Sequence, residues 1–249
     1  MTGDVHRSAA DGYATGAGAY VAGRPNYHPD IVAAVVDAVR GGLVLDLGAG
    51  TGIATAALVD HGLDVVAVEP VPAMRAELSS RLPGVSALDG GAEAIPLDDG
   101  AVGAVVVAQA FHWFDHSRCL DEIARVTAAG GVLVTLWNVR DETVPWMAEW
   151  TRIVDRHAAD TPRYRTMEWR EAIEADPRFE LADEVAADNG YPSSPDAAVQ
   201  RALSTSFIAA LDDTSREAVA TKVRALVEPL GDRFDFPYRS EAQIWQLVG

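Results

Sequence analysis

Two hydrophobic periods alternate along this chain. Residues 30–39 carry apolar side chains at helical spacing and stop at Gly41-Gly42. A short apolar run follows, and from there the pattern predicts a helix near 52–61, a strand at 64–69, a helix at 72–82 and a strand at 85–89. A strand at 102–108, a helix at 116–127 and a strand at 131–137 complete the regular part. Strands separated by helices imply βαβ units and a parallel sheet covered on both faces, and the valine-rich residues 102–107 suit a central strand. After Asn138 the pattern loosens into a tryptophan- and arginine-rich stretch, 144–177. Residues 179–187 and 235–248 read as two final strands flanking helices near 195–206 and 214–228, and no internal repeat is present.

Composition narrows the class. The chain has 249 residues, 49% of them apolar, which suits one α/β domain with an added cover. Twenty basic against 37 acidic residues leave a net charge of −17, with no Lys or Arg cluster, so a nucleic acid or anionic membrane surface is not an expected partner. A single cysteine, Cys119, excludes an internal disulfide. Neither a long apolar run nor a signal-peptide pattern is found, so a soluble, cytoplasmic protein is expected, as monomer or homodimer.

The candidate chemistry starts at residues 43–52, LVLDLGAGTG, where an apolar strand carrying Asp46 breaks into alternate glycines Gly48, Gly50 and Gly52. Glycine permits close backbone approach to a ligand, and the helix that follows would present unpaired N–H groups. A dinucleotide site wants G-x-G-x-x-G, but the sixth position from Gly48 is Ile53. Seventeen residues beyond Gly52, a second apolar strand ends in Glu69, an acid placed to accept from both hydroxyls of a ribose.

The pattern Asp-x-Gly-x-Gly-x-Gly resembles the first motif of class I S-adenosylmethionine (SAM) dependent methyltransferases. The segments GAEAIPL (91–97), VVVAQAFHWF (105–114) and Arg125-Val126 before Gly130-Gly131 extend the likeness, and YVAGRPNYHP (20–29) resembles the N-terminal cap of the type 11 small-molecule enzymes, among them trans-aconitate methyltransferases. The likeness is good over residues 13–140 and thin beyond, apart from Pro237-Tyr238-Arg239. It implies a Rossmann-like α/β fold with a mostly parallel seven-stranded sheet, helices on both faces and an antiparallel last strand. It also implies one domain, with a cap (1–40), a SAM-binding core (41–138), a helical substrate cover (139–178) and C-terminal strands and helices (179–249). The cofactor-binding residues it implies are Tyr20, Arg24, Asp46, Gly48, Ala49, Gly50, Gly52, Glu69, Pro70, Ala92, Glu93 and Gln109. Arg24 has a physical motive, a bidentate pair with the cofactor carboxylate, set against a surface ion pair. Glu93 replaces an aspartate that many relatives carry at Gly91; the alternative is a helix cap.

A methyl acceptor that must lose a proton needs a base, and His112, beyond the fourth strand, is the candidate; the alternative is a histidine that only shapes the pocket. Tyr27, His112, Trp113, Trp137, Arg140 and Trp146 are the candidate substrate contacts, with core packing the competing role for the tryptophans. A metal site is not expected, because His112, Asp115 and His116 straddle a loop-to-helix boundary with no further ligand nearby and Asp115 is placed to cap a helix. The expected activity is methyl transfer from SAM to a small molecule, oxygen favoured, leaving S-adenosylhomocysteine (SAH). The alternatives are a non-catalytic SAM-binding protein and an NAD-dependent oxidoreductase.

Overall fold

The computed structural model describes residues 25–39, 41–158 and 163–248. Tyr20 and Arg24 lie outside the described residues.

The elements follow the hydrophobic pattern. In chain order they are α1 (Pro29–Ala38), β1 (Val44–Leu47), α2 (Ile53–Asp60), β2 (Val65–Val68), α3 (Pro72–Arg81), β3 (Ser86–Leu88) and β4 (Val102–Ala108). Next come α4 (His116–Val126), β5 (Thr127–Arg140), α5 (Pro145–Asp155), α6 (Glu168–Ala175) and β6 (Phe179–Asp188). The chain closes with β7 (Tyr191–Ser193), α7 (Pro195–Leu203), the single turn α8 (Ser206–Ala209), α9 (Asp213–Val227), β8 (Phe234–Phe236) and β9 (Tyr238–Leu247). Local chemistry sets several starts. Pro29, Pro72, Pro145 and Pro195 stand in the first turns of their helices, where the missing N–H costs nothing. The Asp115, Ser194 and Asp212 side chains accept from backbone N–H groups at the starts of α4, α7 and α9.

Seven strands form one sheet in the order β3-β2-β1-β4-β5-β9-β6, parallel except for β9, which runs antiparallel to β5 and β6. The order reverses between β1 and β4, so a crevice opens beyond their carboxyl ends. Because side chains alternate across a strand, Leu45, Leu47, Val105, Val107 and Leu133 bury on one face with α4 and α6, while Val44, Ala104, Val106, Val132 and Val134 bury on the other with α1 and α2. A third cluster joins α5, α7, α9 and β8 through Met147, Trp150, Val199, Val223 and Phe236 into a cover.

Three element boundaries differ from the hydrophobic reading. Residues 235–248 are two strands, since Pro237 offers no N–H to a ladder: β8 pairs with β7, and β9 enters the main sheet at Tyr238. β5 reaches Arg140, because β9 pairs with it as far as Arg140↔Tyr238. The helix expected at 195–206 ends at Leu203. Residues 139–178 divide between two bodies: α5 belongs to the cover, whereas Trp169 and Ile173 of α6 pack into the sheet core. No helix among the described residues is long and apolar enough to cross a membrane.

Candidate functional site

The glycine loop lies where β1 ends, and each glycine answers a different demand. A Cβ on Gly48 would stand 2.9 Å from Ala110 Cβ, and one on Gly52 would stand 2.9 Å from Leu78 Cγ of α3. Those two contacts are packing constraints. Gly50 differs: its φ is +57°, and the nearest atom to an added Cβ is Met74 Sδ at 3.8 Å, so a side chain there would stand in the crevice itself. Gly48 N–H donates to Val68 O at 2.8 Å, which ties the loop to β2.

Glu69 completes this unit from the end of β2. Its carboxylate accepts from Gly50 N–H through Oε2 and from Val71 N–H through Oε1, both at 2.8 Å, while its carbonyl accepts from Arg75 Nη1 at 2.6 Å. Burial raises its pKa above the usual carboxylate value, and the two backbone donors oppose the rise. Asp46 sits below the loop, fully buried. Its Oδ2 accepts from Thr55 Oγ1 at 2.5 Å, and its Oδ1 has no hydrogen-bond partner among the described residues. Desolvation, countered by Thr55 and reinforced by Glu69, lifts its pKa from 3.8 to about 6. Two carboxylates therefore make this end of the crevice electronegative, an environment suited to a cationic ligand bearing hydroxyl groups.

Gly48, Ala49, Gly50, Glu69, Pro70, Ala92, Glu93 and Gln109 of the expected cofactor set line a single cavity, together with Tyr27 and Trp113 of the expected substrate set. Gly52 and Asp46 stand behind its wall. Gln109 carries a φ of +59°, and its side chain donates from Nε2 to Asn138 O at 3.1 Å. Asn138 in turn donates to Pro25 O at 3.1 Å and accepts from Asn189 Nδ2 at 3.0 Å and from Ser240 Oγ. This network fastens the segment entering α1, β5 and β9 around the cavity mouth. Glu93 both faces the cavity and accepts from Asp115 N–H at 2.9 Å through Oε1, so it anchors the start of α4. Arg125 holds the same loop in place, donating to Ile95 O at 2.9 Å and Leu97 O at 2.8 Å.

Four expected substrate contacts lie away from the cavity lining. His112 packs against Trp113, which lines the cavity, and against Trp137, with ring centroids 4.8 and 5.6 Å away. Trp137 is core, 4.9 Å from both Tyr164 and Trp169. Arg140 clamps α5 to β5, pairing with Asp155 at 3.2 Å and lying 4.6 Å over the Trp150 ring. Trp146 meets Phe234 and Phe236 edge-on inside the cover. Among the cavity residues that were not site candidates from the sequence are Asn138, Arg201 and Tyr238. Arg201 left one trace, an arginine on the apolar face of α7 between Ala198, Val199 and Ala202.

Residues 45–135 match the family described as Methyltransferase domain. An uncharacterized methyltransferase of Mycobacterium tuberculosis is 49% identical over 144 residues, which are 58% of this chain and 59% of that protein. The chain spans about three fifths of the length of the curated relatives it matches. The crystal structure of the YcgJ protein from Bacillus subtilis superposes with a TM-score of 0.59 at 16% identity, covering 89% of this chain and 100% of that one. Geranyl diphosphate C-methyltransferase from Streptomyces coelicolor, crystallised with SAH, superposes at 0.52 and 16% identity, covering 87% and 75%. The fold is the Rossmann-like class I methyltransferase fold. Within it, residues 45–135 carry the match to the methyltransferase family.

Proposed function

We propose that this protein transfers a methyl group from SAM to a small-molecule acceptor. The observation that carries the reading is the joint between Gly50 and Glu69: a glycine with room for a ligand where its Cβ would be, hydrogen-bonded to a buried carboxylate on the adjacent strand. Glu69 would accept from the ribose hydroxyls, with Pro70, Ala92 and Glu93 along the nucleoside. Gln109 would meet the amino-acid end, over the negative charge of Asp46. The residues present fit such a group, because the unpartnered Asp46 Oδ1 and the two carboxylates at one end of the crevice favour a cation there. Tyr20 and Arg24 keep their proposed place on the open side from the family resemblance alone.

Bound SAM supplies an activated methyl on a sulfonium. The chain's own contribution is then positional, for which effective concentration can provide about 7–11 kcal/mol of barrier reduction. Tyr27, Trp113 and the cover helices would enclose the acceptor and exclude water, and oxygen is the favoured acceptor atom. Since Trp113 lines the cavity and His112 packs against it without lining it, the reading assigns His112 to shaping the wall rather than to moving the proton.

Calorimetry tests the proposal. SAM and SAH should bind and NAD should not, and Gly50→Val should abolish SAM binding while the variant keeps its circular-dichroism spectrum. Normal SAM affinity in folded Gly50→Val would overturn the loop assignment. Label transfer from methyl-labelled SAM to a panel of hydroxy and carboxy acids separates an enzyme from a protein that only binds the cofactor.

A further inference from the structure

Between β3 and β4 the chain runs through residues 89–101 without a helix or strand, and Gly90, Gly91, Ala92 and Glu93 of this loop line the cavity. Its internal backbone bonds are turn-sized, from Ala94 N–H to Gly91 O at 3.2 Å and from Leu97 N–H to Ile95 O at 2.8 Å. A loop of this kind takes its position from the elements around it.

Helix α4 supplies the hold. Glu122 and Arg125, one turn apart, form a bidentate pair in which Arg125 Nε donates to Oε1 at 2.7 Å and Nη2 to Oε2 at 2.8 Å. Together they grip both backbone groups of Ile95: its N–H donates to Glu122 Oε2 at 2.7 Å, and its carbonyl accepts from Arg125 Nη2 at 2.9 Å. Arg125 Nη1 donates to Leu97 O and to Asp99 Oδ1, both at 2.8 Å. All five guanidinium N–H groups are engaged, so the loop has one defined seat on α4.

That seat reaches the cavity by contact. Ile95 is buried in the same core cluster as Ala92. Its neighbour Pro96 stands against Gly90, where an added Cβ would lie 2.6 Å from Pro96 Cδ and 3.3 Å from Val68 Cγ1. Packing this close passes a shift at Ile95 on to Gly90 and the residues after it. Glu93 spends Oε1 on Asp115 N–H, at the start of α4, and its Oε2 stands beside Gly91, 3.3 Å from where a Cβ on that glycine would be. One helix thus holds the cavity-facing carboxylate from both sides.

We propose that Glu122 and Arg125 are positioning residues for base selection: by seating Ile95 they place Glu93 and residues 90–92 to take a purine with a 6-amino group and to reject one with a 6-oxo group. The assignment rests on the reading of this part of the cavity as the nucleoside end of the SAM site. A carboxylate accepts from an amino group, whereas a carbonyl oxygen brought against it opposes two acceptors. Selection of this sort needs the carboxylate held in place, because one free to retreat would admit either base.

The test is calorimetric titration of the full chain with SAH and with S-inosylhomocysteine, whose purine has a 6-oxo group in place of the 6-amino group. The wild type should bind SAH roughly tenfold to a hundredfold tighter. Arg125→Lys keeps the charge but replaces the five-donor fork with a point charge, and Glu122→Gln puts an N–H2 where the guanidinium or Ile95 N–H needs an acceptor. Each should reduce the preference to about threefold or less, chiefly by weakening SAH, with the circular-dichroism spectrum retained. Should Arg125→Lys not fold, Glu122→Gln and Glu122→Asp carry the same comparison, the shorter aspartate no longer reaching Ile95. A variant that loses thermal stability yet keeps the wild-type preference would overturn the assignment and make the pair a structural strut. Equal binding of the two ligands by the wild type would overturn it as well, by removing the selection it explains. A wild-type chain that does not bind SAH would instead defeat the underlying SAM reading.

Discussion

Gly50 N–H stands 2.8 Å from Glu69 Oε2, so the loop after β1 and the acid at the end of β2 are a single structural unit. The carboxylate that would receive a ribose therefore also holds the backbone that would face it. Its second oxygen is engaged with Val71 N–H, which fixes the carboxylate plane at both ends.

Removing that carboxylate has two costs, the lost acceptor for the ligand and a loop without its anchor. Hydrogen bonds to a charged group contribute about 1.5–3 kcal/mol. Glu69→Ala is expected to weaken SAM binding roughly tenfold to a hundredfold, read by calorimetry, with the fold retained. An unchanged dissociation constant would remove Glu69 from the ribose site.

Asp46 makes stability depend on pH in a direction opposite to most carboxylates. Its pKa is raised from 3.8 to about 6, so the folded chain retains a proton that the unfolded chain has released. Stability from this group is full at low pH, is lost as pH rises between these two values, and stays lost above them; the displacement is worth on the order of 3 kcal/mol. Asp46→Asn should accordingly gain in Tm relative to the wild type on going from pH 4.5 to pH 7.5. A difference in Tm between the two proteins that is constant across this range would contradict the burial of an ionising Asp46.

Much of this site was legible in sequence because it is local. Gly48, Gly50 and Glu69 sit at strand ends that the hydrophobic pattern alone defines, and parallel pairing of β1 with β2 then brings them together. Arg201 and Tyr238 were not legible. They meet only because β9 inserts between β5 and β6 and because α7 folds back over the sheet edge, relationships between segments far apart in the chain. Trp137 and Trp146 show the converse: a tryptophan after a strand reads alike whether it faces a ligand or a neighbouring ring, and here Trp137 meets Tyr164 and Trp169 while Trp146 meets Phe234.

Arg140 belongs to the architecture of the cover. It joins Asp155 to the end of β5 and lies on the Trp150 ring, but Arg163 and Arg165 also reach Asp155, at 2.9 and 3.0 Å. The aspartate thus keeps counter-charges when Arg140 is removed, and the loss should be smaller than for a lone buried pair. Arg140→Ala is expected to cost about 1–3 kcal/mol, lowering Tm by roughly 3–10 °C, with SAM affinity unchanged. A folded, equally stable variant with impaired SAM or acceptor binding would return Arg140 to the site.

His112 decides whether the protein supplies a base. Its ring lies tilted against those of Trp113 and Trp137, and of these three residues only Trp113 lines the cavity. A base must come within about 2.6–3.2 Å of the proton it removes, directly or through one water, and His112 is not among the residues that line the cavity. A carboxylate acceptor, ionised at neutral pH, would need no such transfer. His112→Gln is therefore expected to keep most of the turnover, with any defect in acceptor KM as Trp113 loses its backing. A base would instead be worth about 10²–10⁴ in turnover, and its titration would shape the acidic limb of the rate profile. The measurement is turnover against pH for wild type and His112→Gln on one acceptor at saturating SAM. Superimposable profiles are expected; an acidic limb present in the wild type and absent from the variant, with turnover down at least a hundredfold, would make His112 the base.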